Sequence, residues 1–371
     1  MLTKKKILLI GGGHAHIQVL HLLSKVDPQL FELTLISDRQ LSPYSGMLPS
    51  YMAGVYSADQ LHFDLKDICM RFNFNFIEDL VTLIEPRQNQ VETRKNGVFK
   101  YDAASVNIGI QPHSISTVQD SHLENEIIYL KPISKLIQRW NKMITSEQKK
   151  SLDITLIGGG AAAFEVAVAC RRHFSSLQNK IKIISGHAGL LSDQNEKTQR
   201  LARKTLKELN IELIEKVRVQ KIESHQLILD NGIALPRQIC FVATSAQAPQ
   251  IFNESNLPVN EKGFVKVDDQ LFVQGYSNLL AAGDCCEFNN LSLPKAGVFA
   301  VREGPILFNN IYSFISGESK YQVYKPQKRY LTILITKPGQ AIASFGNFTF
   351  QGKLAWRLKN YIDLKFMNRF R

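Results

Sequence analysis

Two stretches of the chain repeat one pattern, and that repetition limits the fold more than any other feature. Residues 7–20 read ILLIGGGHAHIQVL and residues 152–168 read LDITLIGGGAAAFEVAV. Each is an apolar run of strand length, then three glycines, then a stretch with helical spacing and no breaker. This is how a dinucleotide-binding βαβ unit begins. Gly11 and Gly13 in the first copy, and Gly158 and Gly160 in the second, let the backbone bend sharply and approach a pyrophosphate, while the helix N-terminus directs free N–H groups at it. The third position of G-x-G-x-x-G serves close packing of helix on strand. Ala163 suits it in the second copy; in the first it is His16, which costs packing distance but not the turn. One such turn is a weak signal. Two, each between strand and helix, predict an α/β fold with two Rossmann-like dinucleotide-binding domains.

Each copy should be followed by a second strand ending in an acid that binds a ribose. In FELTLISDRQ, Ser37 stands at that place with Asp38 next to it, so Asp38 is the candidate ribose ligand. In KIKIISGHAG the strand ends in Ser185 and Gly186 with no acid, which leaves NADH and NADPH both open. Far downstream, YSNLLAAGDCCEFNN has a short apolar strand, Leu279 to Ala282, that delivers Gly283 and Asp284 to its C-terminal end, where ligands of open α/β sheets bind.

Composition bounds the rest. With 371 residues, 44% hydrophobic and 21% charged, the chain suits a soluble protein of about two or three domains. The first apolar run, Ile7 to Ile10, is too short for a signal peptide, and no later run reaches the roughly eighteen apolar residues of a membrane span. The five cysteines form no C-x-x-C pair and no metal-ligand spacing, which points to a reduced, cytoplasmic setting. His14, His16 and His21 have no second cluster to complete four ligands, so no metal site is expected. The net charge of +12 is local: from Lys328 onward there are nine Lys/Arg and one acid, Asp363, so the tail holds +8 of it.

The tail ends in KLAWRLKNYIDLKFMNRFR. Helical spacing puts Leu354, Leu358, Tyr361, Ile362, Phe366 and Phe370 on one face, Lys353, Arg357 and Arg371 on the other, and Lys365 and Arg369 where they can snorkel. A basic amphipathic helix carrying Trp356 suits the interfacial plane of an anionic membrane; the alternative is a helix packed on the body.

The segments GGGHAHIQVL, SPYSGMLPSYMAGVY and PKAGVFAVREG, taken with the two turns and the Gly-Asp motif, resemble the pyridine nucleotide-disulfide oxidoreductase superfamily. Within it the likeness is to type II NADH dehydrogenases and sulfide:quinone oxidoreductases. It is closer to the NADH dehydrogenase-like flavoprotein that also occurs joined to the N-terminus of selenide, water dikinase. In that group the first turn has the same G-G-G-H-A-H wording, so His16 is a group trait. Two departures stand out: Ser245 occupies a place where the superfamily usually has Gly, and no kinase portion follows.

The resemblance implies a discontinuous layout. Residues 1–112 and 258–326 form an FAD-binding domain, residues 125–255 an NAD(P)H-binding domain inserted in it, and residues 327–371 a C-terminal region ending in the amphipathic helix. VNIGIQPH, with Gly109, and FVATSAQAP would be the two crossings. The FAD pyrophosphate would lie at Gly11, Gly13, His14 and Ala15, and its ribityl chain at Gly283 and Asp284. Tyr44, Ser45 and Gly46, in a loop pinned by Pro43 and Pro49, would lie against the flavin. The helix of PKAGVFAVREG, with Gly297, would aim its N-terminus at the flavin, and Lys295 would stabilise negative charge on the reduced ring. Glu165, on the helix after the second turn, would face the nicotinamide.

Function follows from what is present and what is missing. Disulfide reductases need a C-x-x-C beside the flavin, and the vicinal Cys285 and Cys286 read instead as small packing residues. Hydride transfer remains. The expectation is an FAD-dependent enzyme that oxidises NAD(P)H and reduces a quinone or similar acceptor. The alternatives are a flavin-binding accessory protein of selenium or sulfur metabolism and a sulfide:quinone type of enzyme. The partners expected are NAD(P)H, the acceptor and a membrane surface at the inner face of the cell membrane, with a homodimer left open and nucleic acid not among them.

Overall fold

The computed structural model describes residues 4–112, 115–117, 126–145, 151–176, 178–244, 246–289, 291, 293–318 and 320–371. Two five-stranded parallel sheets organise it. In the first the order is Leu279–Ala281, Ala103–Val106, Lys5–Ile10, Phe31–Ser37, Asn75–Glu78. In the second it is Ile127–Tyr129, Ile239–Val242, Asp153–Ile157, Lys180–Ile184, Glu212–Ile214. Each sheet has its glycine-turn strand at the centre, with the next strand in sequence on one side and a later one on the other. The central strands are near-continuous Ile and Leu runs because a parallel sheet is covered on both faces, and Ile7–Ile10 and Ile154–Ile157 are accordingly buried without alternation.

The second sheet is inserted between the fourth and last strands of the first. The chain leaves and returns side by side: Gln111–Pro112 pairs antiparallel with Ala246–Gln247. Ser245 lies outside the described residues.

A three-stranded antiparallel sheet, Thr332–Lys337, Gln340–Phe345 and Phe348–Gly352, leads into the C-terminal helix Lys353–Asn368. The expected single apolar face of that helix is split. Leu354 and Tyr361 are 71% and 60% exposed and Ile362 is exposed too, whereas Phe370 is only 2% exposed. Phe366 and Phe370 close an aromatic cluster with Tyr44, Phe63 and His21, at ring separations of 4.9 Å for Tyr44–Phe366 and 5.7 Å for Phe63–Phe370. The inward seam is Ala355, Lys359, Asp363 and Met367, at i, i+4 spacing. The cause is local: the last turn meets a cluster that can bury two rings, and turning Phe366 and Phe370 inward brings Lys359 and Asp363 into one buried pair. Among the described residues no helix is long and apolar enough to cross a membrane.

Candidate functional site

The first glycine turn is fastened by a residue the sequence did not single out. Asn107, almost fully buried where the Ala103–Val106 strand ends, accepts from Ala15 N at 3.2 Å through Oδ1 and donates to Ala282 O at 2.6 Å through Nδ2; its carbonyl accepts from Gly13 N at 3.2 Å. One side chain thus joins the turn, the crossing strand and the approach to the Gly-Asp motif. The glycines are required by this closeness. Gly11 has φ +90°, and a Cβ there would lie 2.6 Å from Asn107 O; at Gly13 it would lie 2.1 Å from Asn107 Oδ1.

His16 replaces the packing glycine by bonding to the turn itself. It is fully buried; its Nδ1–H donates to Gly11 O at 2.7 Å and its Nε2 accepts from Ser105 Oγ at 2.8 Å. A carbonyl can only accept, which fixes the tautomer. Burial pulls the ring down to about 4, so it is neutral. The sign of the pH effect follows. Unfolded chains protonate this ring near 6.5 and the native state does not until about 4, so native stability falls as pH drops through that window, by about 3 kcal/mol at its foot. His16→Gln is expected to remove that much of the acid sensitivity in urea titrations run from pH 7 to pH 4; an unchanged pH slope would contradict it.

A cleft of 1590 Å³ runs from Asp38 and Thr82, past Gly11 to His14 and Gly109, to Asp284, Gly297 and Ala300. Single small-molecule sites are typically about 300–1,000 Å³, so this one has room for a dinucleotide. Asp38 accepts from Arg39 Nε at 2.9 Å, and Arg39 also reaches Ser134 of the inserted domain. Asp284 pairs at 2.6 Å with Lys131, again from the insert. Gly283, at φ +80°, donates its N–H to Glu303. Glu303 is buried on the helix Gly297–Ser316, and burial pushes its carboxyl up to about 7.

The remaining expected contacts fall in different places. Ser45 lines the cleft beside Gly297, where a Cβ would lie 3.2 Å from Ser45 Oγ. Tyr44 turns into the aromatic cluster, 5.3 Å from the ring of His14, and a Cβ at Gly46 would strike its ring at 2.8 Å. Lys295 is turned away from the cleft: it donates to Cys286 O behind the Gly-Asp turn and lies 4.1 Å from the Phe264 ring centroid, two partners the cleft does not offer. All five cysteines are buried, with the Sγ atoms of Cys285 and Cys286 at 3.7 Å, and none lines the cleft.

The cleft fits FAD. His14 Nε2 is buried with no hydrogen-bond partner, at the level of Asp284 and Lys131, and burial lowers its ring to about 4. Gly109, at φ +70°, has open space where a side chain would stand. A half-buried neutral imidazole with an orphaned nitrogen, an acid at a strand end and N–H groups at a glycine turn form a donor set suited to a polyol and a pyrophosphate.

At the second turn Gly158, at φ +137°, would place a Cβ 2.6 Å from Ala243 O, Gly160 faces open space, and Ala163 is buried at the helix–strand contact. Glu165 sits half-buried on the following helix, Ala161–His173. It does not pair with Arg171, which instead donates to Ser176, Asn179 and Asn210 carbonyls. Its Oε1 accepts from Ile335 N at 3.0 Å. Burial raises Glu165 to about 7, with Lys359 opposing and Asp363 reinforcing the shift. Lys359 donates to Asp363 at 2.8 Å and to Gly46 O at 2.7 Å. Neither Lys359 nor Asp363 was singled out, although Asp363 is the one acid of a basic tail. Lys359 thus ties the C-terminal helix to the loop beside the first cleft, with Glu165 within the reach of both charges.

Known proteins agree with this geometry. The chain is 23% identical to the type II NADH:quinone oxidoreductase of Staphylococcus aureus, covering 98% of this chain and 95% of that one. It is 22% identical to a probable NADH dehydrogenase of Dictyostelium discoideum, covering 84% and 75%. Among solved structures, NDH2 of Plasmodium falciparum in complex with NADH superposes with a TM-score of 0.85 at 16% identity over 99% of this chain and 97% of that one. The sulfide:quinone oxidoreductase of Aquifex aeolicus superposes with a TM-score of 0.81 at 20% identity over 99% and 91%. Residues 5–304 match the pyridine nucleotide-disulphide oxidoreductase family. Two glycine turns at the centres of two parallel sheets, one sheet inserted in the other, are thus the frame of an oxidoreductase, and the chain belongs to the pyridine nucleotide-disulphide oxidoreductase family.

Proposed function

We propose that this chain binds FAD in the first cleft and NAD(P)H at the second turn, and passes reducing equivalents from the nicotinamide to a quinone or a chemically similar acceptor. FAD, when bound, supplies hydride acceptance and the return of electrons to the acceptor. The chain supplies position and protons. Gly11, Gly13 and the helix N-terminus behind them suit the pyrophosphate, Asp284 the ribityl hydroxyls, and Asp38 the adenosine ribose. The observation that carries this reading is the junction of the two turns: Glu165, behind the second, feels the charges of Lys359 and Asp363, and Lys359 is bonded to Gly46 beside the first.

Oxidation of NAD(P)H by a quinone takes up one proton from the medium for each hydride delivered. Glu165, with its carboxyl near 7, holds a proton below that pH and releases it above. Activity should therefore decline as pH rises through about 7. Glu165→Gln is expected to lower turnover by about a hundredfold and to flatten that limb of the pH profile. A variant that keeps the wild-type profile would remove Glu165 from the chemistry. For the proposal as a whole, the purified protein should be yellow, bleach under anaerobic NAD(P)H and recolour with a quinone; colour that neither nucleotide can bleach would sink it. The sulfide alternative is less favoured because it needs cysteines at the cleft, and all five are buried elsewhere.

The outward face of the C-terminal helix supports docking at an anionic membrane. Leu354, Tyr361 and Ile362 are exposed together with Lys353, Arg357 and Lys365, and the preceding hairpin exposes Phe345 and Phe348. Each basic residue near such a surface is worth about 1 kcal/mol. The triple change Leu354→Ser, Tyr361→Ser, Ile362→Ser is expected to release the protein from anionic vesicles in a flotation assay while leaving flavin colour unchanged. Retention at wild-type level would rule this face out.

A further inference from the structure

We infer that the second turn prefers NADPH to NADH, with Arg218 as the residue that receives the 2′-phosphate. The inference rests on the dinucleotide reading of that turn and adds the class of nucleotide it selects.

The chain carries its own comparison. The first sheet's ribose strand ends Ile36, Ser37, Asp38; the corresponding strand of the second ends Ile184, Ser185, Gly186. The acid that would hydrogen-bond a 2′-hydroxyl and repel a 2′-phosphate is replaced by hydrogen. This strand end is at the nucleotide turn. A Cβ on Gly159 would lie 2.9 Å from Ser185 Cβ, and Leu191 N donates to Gly159 O at 2.7 Å, so residues 186–191 fold over the glycines.

The space beside Gly186 is taken by a cation. A Cβ there would lie 3.6 Å from both Cγ and Nε of Arg218. Arg218 is exposed, and among the described residues its side chain has no hydrogen bond or ion pair. Lys216, exposed two residues earlier, adds a second positive charge. The nearby carboxylates are already engaged. Asp230 binds His187 Nε2 at 2.7 Å and accepts Arg218 N at 3.1 Å; Glu215 binds Arg203 at 2.8 Å and accepts Leu190 N at 2.9 Å. Each is thus held in place by a side chain and a backbone N–H. An unpaired guanidinium, able to hold a phosphate through two N–H groups, stands where the first site has its acid.

Calorimetry on the flavin-loaded protein tests this without turnover. 2′,5′-ADP is expected to bind at least tenfold more tightly than 5′-AMP, and NADPH at least tenfold more tightly than NADH. Arg218→Ala, a surface change, should abolish both differences while leaving NADH affinity within twofold. Gly186→Asp, at a position where a Cβ meets only ordinary contacts, should reverse the preference. Equal binding of the two nucleotides by the wild type, or an Arg218→Ala protein that still prefers NADPH, overturns the inference. If no adenine nucleotide binds at all, the dinucleotide reading fails, and the preference with it.

Discussion

Asp284→Ala is expected to purify as a folded, colourless protein. Asp284 lines the cleft with its side chain only 16% exposed, at the end of a strand whose neighbours are all core. Hydrogen bonds to a charged acceptor contribute about 1.5–3 kcal/mol each, so losing even one from the flavin's polyol weakens binding by roughly ten- to a hundredfold. The same change strands Lys131, whose ammonium would face the cleft without its carboxylate. The fold should survive, because Gly283, Glu303 and Asn107 hold the turn through backbone and buried groups that do not involve the Asp284 side chain. Absorbance near the flavin bands, read beside far-ultraviolet dichroism, checks both halves. Full flavin occupancy in this variant would remove the cleft from consideration as the flavin site.

Deletion of residues 353–371 is expected to cost both colour and cooperative unfolding. The helix is held on its inner side by Lys359 to Gly46, Arg71 to Phe370 O and Arg371 to Asp59 O, and it buries Ala355, Met367 and Phe370. Exposing Met367, Phe370 and the rings they cover costs on the order of 5 kcal/mol, which is comparable with the whole stability of many domains. The loop of Ser45 and Gly46 would lose its anchor, and His14 and Tyr44 would lose the ring of Phe366 that packs against them. The serine triple change on the outer face is the contrast, since it alters membrane docking and leaves the inner face whole. A truncated protein that stays yellow and melts in one sharp transition would show that the helix is an appendage.

What could be read from sequence was what is local. The two glycine turns, the Gly-Asp motif and the strand-end acid are contiguous words whose backbone meaning does not depend on distant partners. Asn107 was missed because its importance lies in bonds to Ala15 and Ala282, far off in the chain, and an Asn at a strand end is otherwise unremarked. The tolerance for His16 needed Ser105, 89 residues away. Lys359 and Asp363 were placed on neither face, because helical periodicity sorts residues into faces but does not say which face turns inward. Lys295 differs in the opposite sense: its place in the motif pointed to the cleft, and the carbonyl of Cys286 and the ring of Phe264 hold it behind the turn.

The pairing of Gln111–Pro112 with Ala246–Gln247 puts the two ends of the inserted segment side by side. Its entry and exit are hydrogen-bonded neighbours, so the long excursion between them closes over a gap no wider than two adjacent strands, and the host sheet gives up little freedom to accommodate it. Beyond this neck the guest is held by Lys131 on Asp284, by Ser134 on Arg39 and by Glu165 on Ile335, so the neck sets where it joins and these bonds set how it sits. The guest is thereby tied to the host twice, at this paired neck and through Lys131 and Ser134 at the cleft, while Gly186 and Arg218, which line no part of that cleft, can be recast inside the guest.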